Sequence, residues 1–301
     1  MELTLGPVLF EWRREDVLRF YDEVADMDVD RVYVGEVVCT KKRGLLLKDI
    51  GAIAEKLTRS GKKVVLSSLA VVSNEEELDY VREIVKLPYP VEANDMSVFN
   101  IATKGKEVFA GPHITSYNVP SIEFLKDAGA LRVTFPVEMS RDSVAHCLKH
   151  TGVCGEVFAH GKVPLAFSWR CYTSRAFNLS KTECKRHCAQ YPDGLELKTM
   201  DNEPVFAING TSILSARVYT LIEFIDDLLA IGAGALRVSP QFRDTAKVVE
   251  IFRKRMRGAL DADGAVSELK SIYPQGLCNG WYSGGAGKDY RSAQELKEAF
   301  F

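Results

Sequence analysis

Short runs of β-branched and aromatic residues alternate along much of the chain with longer stretches whose apolar positions recur every three or four residues. The short runs predict buried strands and the longer period predicts amphipathic helices. Strands are predicted over 31–34, 63–69, 91–93, 107–110 and 131–135, and helices over 50–58, 74–86, 120–128 and 140–150. The punctuation agrees. Ser60-Gly61 stops the first helix, Asn74 with Glu77 three residues later has capping-box spacing, and Pro88 follows the second helix. This βαβα order implies parallel strands with helices packed outside them.

An internal echo sharpens the expectation. Ile122-Glu-Phe-Leu125 leads to Gly129-Ala-Leu-Arg-Val133, Pro136 and Arg141-Asp142; about a hundred residues later, Ile222-Glu-Phe-Ile225 leads to Gly234-Ala-Leu-Arg-Val238, Pro240 and Arg243-Asp244. Both copies read helix, glycine cap, strand, loop, helix. A repeated βα unit suits a closed sheet, which leaves no strand edge unpaired. The expected fold is an α/β, TIM-barrel-like (β/α) barrel, incomplete or distorted circuits included, forming one domain over 1–301. Residues 156–170 break the rhythm and are read as an antiparallel excursion beside an inserted cysteine-bearing segment, 171–194, while the tail from Gly276 is glycine-rich and irregular.

Composition narrows the chemistry. A hydrophobic fraction of 46% over 301 residues supports a core without help from metal or crosslinks, so a metal site would be added to the fold rather than create it. Thirty-nine basic against 41 acidic residues give a formal charge of -2, with no basic excess for a nucleic-acid duplex or an anionic membrane. The start, MELTLGPVLFEWRRED, lacks the pattern of a secretory signal, and an apolar stretch such as 64–72 is far shorter than a membrane span. A cytoplasmic location is expected. In a reducing compartment, seven cysteines, an odd number, argue against a closed disulfide framework.

The cysteine spacing is the sharpest chemical feature. Cys184 and Cys188 are four apart, so on a helical turn they would share one face, and Cys171 lies thirteen residues before Cys184. Thiolates suit the iron of a cluster or zinc. Arg175, Lys181, Lys185 and Arg186 would lower thiol pKa values and offset the charge of a thiolate set. A fourth ligand must be distant, and spacing leaves Cys39 and Cys278 as rivals; Cys147 and Cys154 read as ordinary core positions. His187 would point away from the face shared by Cys184 and Cys188. Arg132 and Arg237, at matching places in the echo, are candidates for anion or partner contacts unless they pair with structural acids. Glu36, Glu138 and Asp142, at predicted strand-end turns, are weaker candidates.

Several segments together carry a family likeness: Tyr33-Val-Gly-Glu36 with Val38-Cys39, Pro136-Val-Glu-Met-Ser-Arg-Asp142, Arg170-Cys-Tyr-Thr-Ser-Arg175, Cys184 and Cys188, Tyr191-Pro-Asp-Gly194, Ile208-Asn-Gly210 and Cys278-Asn-Gly280. Over nearly its whole length the chain resembles the collagenase-like peptidase family U32. The resemblance implies a 4Fe–4S cluster held by Cys39, Cys171, Cys184 and Cys188, which favours Cys39 over Cys278. It further implies a role in oxygen-independent ring hydroxylation in ubiquinone biosynthesis, in a heterodimer with a homologous UbiU-like subunit and alongside a UbiT-like lipid-carrier protein. Residues 156–161 echo the family's peptidase signature, but its Ser-Gly-x-Cys part is missing and no nucleophile accompanies His160, which is read as structural. The expectation is a non-peptidase component of an anaerobic hydroxylase complex. A zinc-binding assembly subunit and an RNA-hydroxylation factor are the competing readings.

Overall fold

Buried valine and leucine recur along the barrel strands, and the longer helices each bury an apolar stripe, so neither element is stable until strands and helices cover one another. A computed structural model describes residues 1–39, 45–180 and 183–299. Its elements, numbered in chain order, are strands β1 (Glu2–Leu5), β2 (Arg31–Val34), β3 (Lys63–Ser67), β4 (Val91–Ala93), β5 (Val108–Ala110), β6 (Ala130–Thr134), β7 (Cys154–Phe167), β8 (Leu195–Lys198), β9 (Pro204–Asn209), β10 (Ser212–Thr220), β11 (Ala235–Val238) and β12 (Leu277–Cys278). The helices are α1 (Arg14–Val24), α2 (Leu47–Arg59), α3 (Glu75–Lys86), α4 (Ser97–Ile101), α5 (Val119–Asp127), α6 (Arg141–Thr151), α7 (Tyr172–Ala176), α8 (Ile225–Ala230), α9 (Thr245–Met256), α10 (Ala262–Ile272) and α11 (Ala293–Ala299).

Strands β1 to β7 pair in sequence order, all parallel, and β11 closes the circuit between β7 and β1. The result is an eight-stranded parallel barrel, as the βα rhythm and the echo predict. The two echoed strands, β6 and β11, flank the same neighbour, β7: Val133 is paired with Gly155 and Leu236 with Val157. Helix α3 begins at the expected cap, where Asn74 accepts a hydrogen bond from the Glu77 amide at 3.0 Å.

The predicted excursion takes a definite form. β7 serves as a barrel strand in its first half and then bends outward, pairing antiparallel with β10, which continues the sheet through β9 to β8. The bend is at Gly161, whose φ is +127°; an added Cβ there would meet the Ser239 side chain at 2.7 Å, so both conformation and space call for glycine. The Gly276 tail is not wholly irregular, since β12 pairs with β10 before α11 ends the described chain. Among the described residues, no helix is long and apolar enough to cross a membrane.

The main core lies between the barrel wall and its helices, while Tyr33, Val65 and Phe109 form a separate apolar cluster inside the barrel. The rest of the lumen is charged. Arg237 is paired with Glu92 at 2.6 Å and with Glu156 at 2.7 Å, and Arg132 joins Glu156 at 3.1 Å and Glu2 at 2.6 Å. Thr4 and Tyr33 donate hydroxyl hydrogen bonds to Glu156, and Ser67 donates one to Glu92. The Arg237 guanidinium also lies 4.0 Å from the centre of the Tyr33 ring. Burial alone would raise the Glu156 carboxyl, but Arg237 and Arg132 bring it down to about 2. Arg132 and Arg237 are therefore committed to structural acids, the alternative the sequence offered to an anion or partner contact.

His160 is structural in its setting. It is fully buried, its Nε2 lies 3.2 Å from the Tyr273 hydroxyl, and its ring packs edge-on against Phe252. Burial lowers its pKa from 6.5 to about 3. Between these values the unfolded chain binds a proton that the folded chain refuses, so this contribution to stability is present above pH 6.5 and lost as pH falls towards 3. Urea titrations between pH 6 and 5 should show His160→Leu losing roughly 1 kcal/mol per pH unit less than the parent chain. Equal slopes would mean that His160 protonates in the folded state.

Candidate functional site

The loops that follow β1, β2 and β3 lie at the C-terminal end of the barrel, where parallel barrels build their sites. There a cavity of about 50 Å³ is lined by Cys39, Cys171, Cys184 and Cys188, with Glu11, Val38, Val71, Glu77, Trp169, Arg186 and Gly210 among its other walls. Its volume is several times the roughly 10–15 Å³ that admits one water. Cys39 arrives on the loop after β2, Cys171 caps α7, and Cys184 and Cys188 come from the segment between α7 and β8. Cys278, the rival on spacing, is not on this cavity; it is buried on β12 beside Tyr219 of β10, and burial pushes its thiol up to about 12.

The local geometry of Cys184 and Cys188 differs from expectation. They do not share one helical turn: Arg186 adopts a left-handed conformation at φ +55°, and only His187–Gln190 form a short 3-10 helix. The chain thus turns sharply between the two thiols, yet both reach the same cavity. His187 stacks on Phe177 with ring centres 5.1 Å apart, and Phe177 stacks in turn on Tyr191. Cys171 accepts a hydrogen bond from the Ser174 amide at 3.4 Å.

A two-residue turn between β9 and β10 assembles these pieces. Asn209, almost fully buried, accepts the Glu11 amide at 2.6 Å and donates to the carbonyls of Cys188 at 3.2 Å and Tyr191 at 2.8 Å. The Gly210 carbonyl accepts the Tyr172 amide at 3.0 Å, and Thr211 donates to the Val38 carbonyl at 3.3 Å. One turn therefore holds all three cysteine segments. Gly210 has φ +63°, and a Cβ there would lie 3.9 Å from the Cys188 sulfur and 3.3 Å from the Glu11 side chain, on the floor of the cavity.

Burial and crowding hold acidic groups of the site in their protonated, neutral forms. Burial, then Glu11, then Cys171, Cys39 and Cys184 push the Cys188 thiol up to about 12. Glu11 itself is held well above the usual carboxylate range by burial and by Glu36, against the Arg186 guanidinium 3.4 Å away. Arg186 also donates to the Trp12 carbonyl at 2.7 Å, which fixes it at the cavity wall. One guanidinium does not balance four thiolates, which would repel one another; iron or zinc would reverse that preference. None of the seven cysteines, all among the described residues, forms a disulfide. Among the described residues, no three His, Cys, Asp or Glu side chains stand in position around a single metal ion.

The remaining candidates fall elsewhere. Glu36 accepts the Leu45 amide at 2.6 Å and acts on the cavity through Glu11. Glu138 is exposed, and Asp142 is exposed beside Arg141 on the wall of a different groove that also includes Asp227 and Tyr282. Arg175 and Lys185 do not line the thiol cavity, and Lys181 lies outside the described residues. Glu11 and Asn209 were missed as site residues, although Asn209 lies within the quoted Ile208-Asn-Gly210 segment. An asparagine before glycine between two strand-like runs is a recognisable turn signal, whereas Glu11 carried none.

The class so defined is a parallel (β/α) barrel with a thiol-lined cavity at its C-terminal mouth. Residues 17–292 match Peptidase family U32, and the chain belongs to that family. The 23S rRNA 5-hydroxycytidine C2501 synthase of Escherichia coli (strain K12) is 20% identical over 236 residues, which are 75% of this chain and 35% of that protein. The chain thus spans about a third of that relative's length. Among solved structures, a U32 peptidase aligns with a TM-score of 0.47 at 11% identity, covering 80% of this chain and 93% of that one. Thiamine phosphate pyrophosphorylase from Pyrococcus furiosus aligns with a TM-score of 0.46 at 10% identity, covering 86% and 96%.

Proposed function

We propose that this chain is a UbiV-type member of the family: the iron–sulfur subunit of a UbiU–UbiV-type complex required for oxygen-independent hydroxylation in ubiquinone biosynthesis. The observation that carries the reading is the meeting of Cys39, Cys171, Cys184 and Cys188 on one cavity from three separate segments. We read the pathway from the motif likeness, with which family membership agrees. A relative named for making 5-hydroxycytidine, a product with a ring hydroxyl, agrees with this reading.

The residues suit a 4Fe–4S cluster. The four cysteines would each hold one iron corner, Arg186 would offset the negative charge, and the Ser174 amide on the Cys171 sulfur would tune the potential. Such a cluster supplies single electrons at a potential set by its surroundings. This chain's own part is to hold it with Asn209 and Gly210 behind it and Phe167, Ser168 and Trp169 along one wall. Its partners in this reading are a homologous UbiU-like subunit and a UbiT-like lipid carrier.

Anaerobic purification with iron and sulfide analysis tests the proposal. The expected product is brown, with about four iron and about four sulfide per chain. Alanine at any of Cys39, Cys171, Cys184 or Cys188 should remove most of that iron, whereas Cys278→Ala should leave it. A colourless protein holding stoichiometric zinc after strictly anaerobic handling would replace the cluster with a structural metal. The pathway is read separately, by the hydroxylated quinone precursors in an anaerobically grown deletion strain carrying each variant. If the deletion removes a hydroxylated nucleoside instead, the RNA reading suggested by the Escherichia coli relative takes its place.

A further inference from the structure

Helix α6 carries a pair of histidines that the thiol site does not use. His146 and His150 are four residues apart, on one face of the helix, with ring centres 4.1 Å apart and planes inclined by 31°. Nδ1 of His150 lies 2.8 Å from the His146 carbonyl oxygen. A carbonyl oxygen can only accept, so Nδ1 carries the proton and the lone pair of His150 is left on Nε2. That is the orienting hydrogen bond by which proteins prepare an imidazole for a metal. His146 has no side-chain hydrogen bond among the described residues, which leaves its ring nitrogens available. His146 and His150 are both exposed, so the pair opens to solvent.

From this geometry we infer that His146 and His150 form a bidentate site for a borderline divalent cation of the nickel, copper and zinc class. Imidazole suits these ions, and two ligands at this helical spacing chelate without bending the backbone. Water completes the coordination. Asp142, one turn earlier on the same face, is exposed and ion-paired with Arg141, and Lys149 adjoins His150. The pair sits on the outer helix layer, and neither histidine lines the thiol cavity. A bound ion would clamp the last two turns of α6 and appear in metal analyses as a component separate from any iron.

Ni²⁺ titration of the full-length, untagged chain tests this by calorimetry, with near-ultraviolet absorption followed in parallel because thiolate–nickel charge transfer reports binding at cysteine. The expected result is a binding event without thiolate absorption, weakened at least tenfold by His146→Ala or His150→Ala. Retention of the untagged chain on a nickel-charged column should be lost in the same variants. His146→Gln and His150→Gln, which keep a polar side chain and good helix propensity, repeat the comparison if an alanine variant loses helicity. Unchanged nickel affinity and retention in the double variant, or nickel bound solely with thiolate absorption, would overturn the site.

Discussion

Replacing Arg237 by alanine is expected to lower folding stability by about 3–5 kcal/mol, the usual consequence of leaving buried charge without its partner. Arg237 is 3% exposed and the two carboxylates it holds, on Glu92 and Glu156, are fully buried, so solvent does little to soften the loss. Arg132 remains near Glu156 but makes no ion pair with Glu92, so it rescues only half of the pair. The pH dependence should change sign as well as size. In the parent chain the Glu156 pKa is depressed from 4.5 to about 2, so its contribution is present above pH 4.5 and lost as the medium is acidified towards 2. In the variant, burial without the Arg237 guanidinium raises the Glu156 carboxyl, and mild acid should recover part of the lost stability. Urea denaturation from pH 8 to pH 5 reads both effects. A variant within 1 kcal/mol of the parent at neutral pH would mean that water or a rearranged Arg132 already compensates the pair.

Asn209→Ala should strike the thiol site while leaving the barrel standing. The side chain satisfies three backbone groups, the Glu11 amide and the carbonyls of Cys188 and Tyr191. Each buried group left without a partner costs roughly 1–3 kcal/mol unless water reaches it. The cheapest relaxation is for the 187–191 turn to lift from the β9–β10 hairpin, carrying Cys188 out of the cavity. The expected outcome is a circular-dichroism spectrum like the parent's, rapid amide exchange around residues 187–191, and less than half the parental iron after anaerobic reconstitution. Asn209→Asp keeps the acceptor for the Glu11 amide but loses the donor, and should fall between the two. Parental exchange rates in the alanine variant would show that the turn is held by other contacts, whatever the iron content.

Asn209 and Arg237 mark the boundary between what was readable in the residue string and what was not. Strand and helix identity rests on apolar spacing and on caps whose partners are three or four residues away, and those signals are present wherever the residues are. β2, β4 and α3 accordingly appear where the pattern put them. The parallel barrel followed from the βα order and from an echo that occupies the two strands beside β7. Sites that depend on remote contacts left weaker traces. β1 and α1 went unread at the start of the chain, as did the β8–β9–β10 sheet whose turn gathers the cysteine segments. The four-residue step between Cys184 and Cys188 suggested a helix, but Arg186 in a left-handed conformation turns the chain between them.

The sequence by itself determined the periodicities, the helix caps and the supply of soft sulfur ligands, because these are properties of neighbouring residues. Only the tertiary structure decided which charges face into the barrel and which cysteines share a cavity. Glu156 meets Thr4 across 152 residues of chain, and Thr211 meets Val38 across 173. Such pairs exist only after closure of the sheet has placed strand interiors opposite one another. Burial then sets their chemistry, turning an arginine that looks available on paper into a counter-ion that the lumen cannot release.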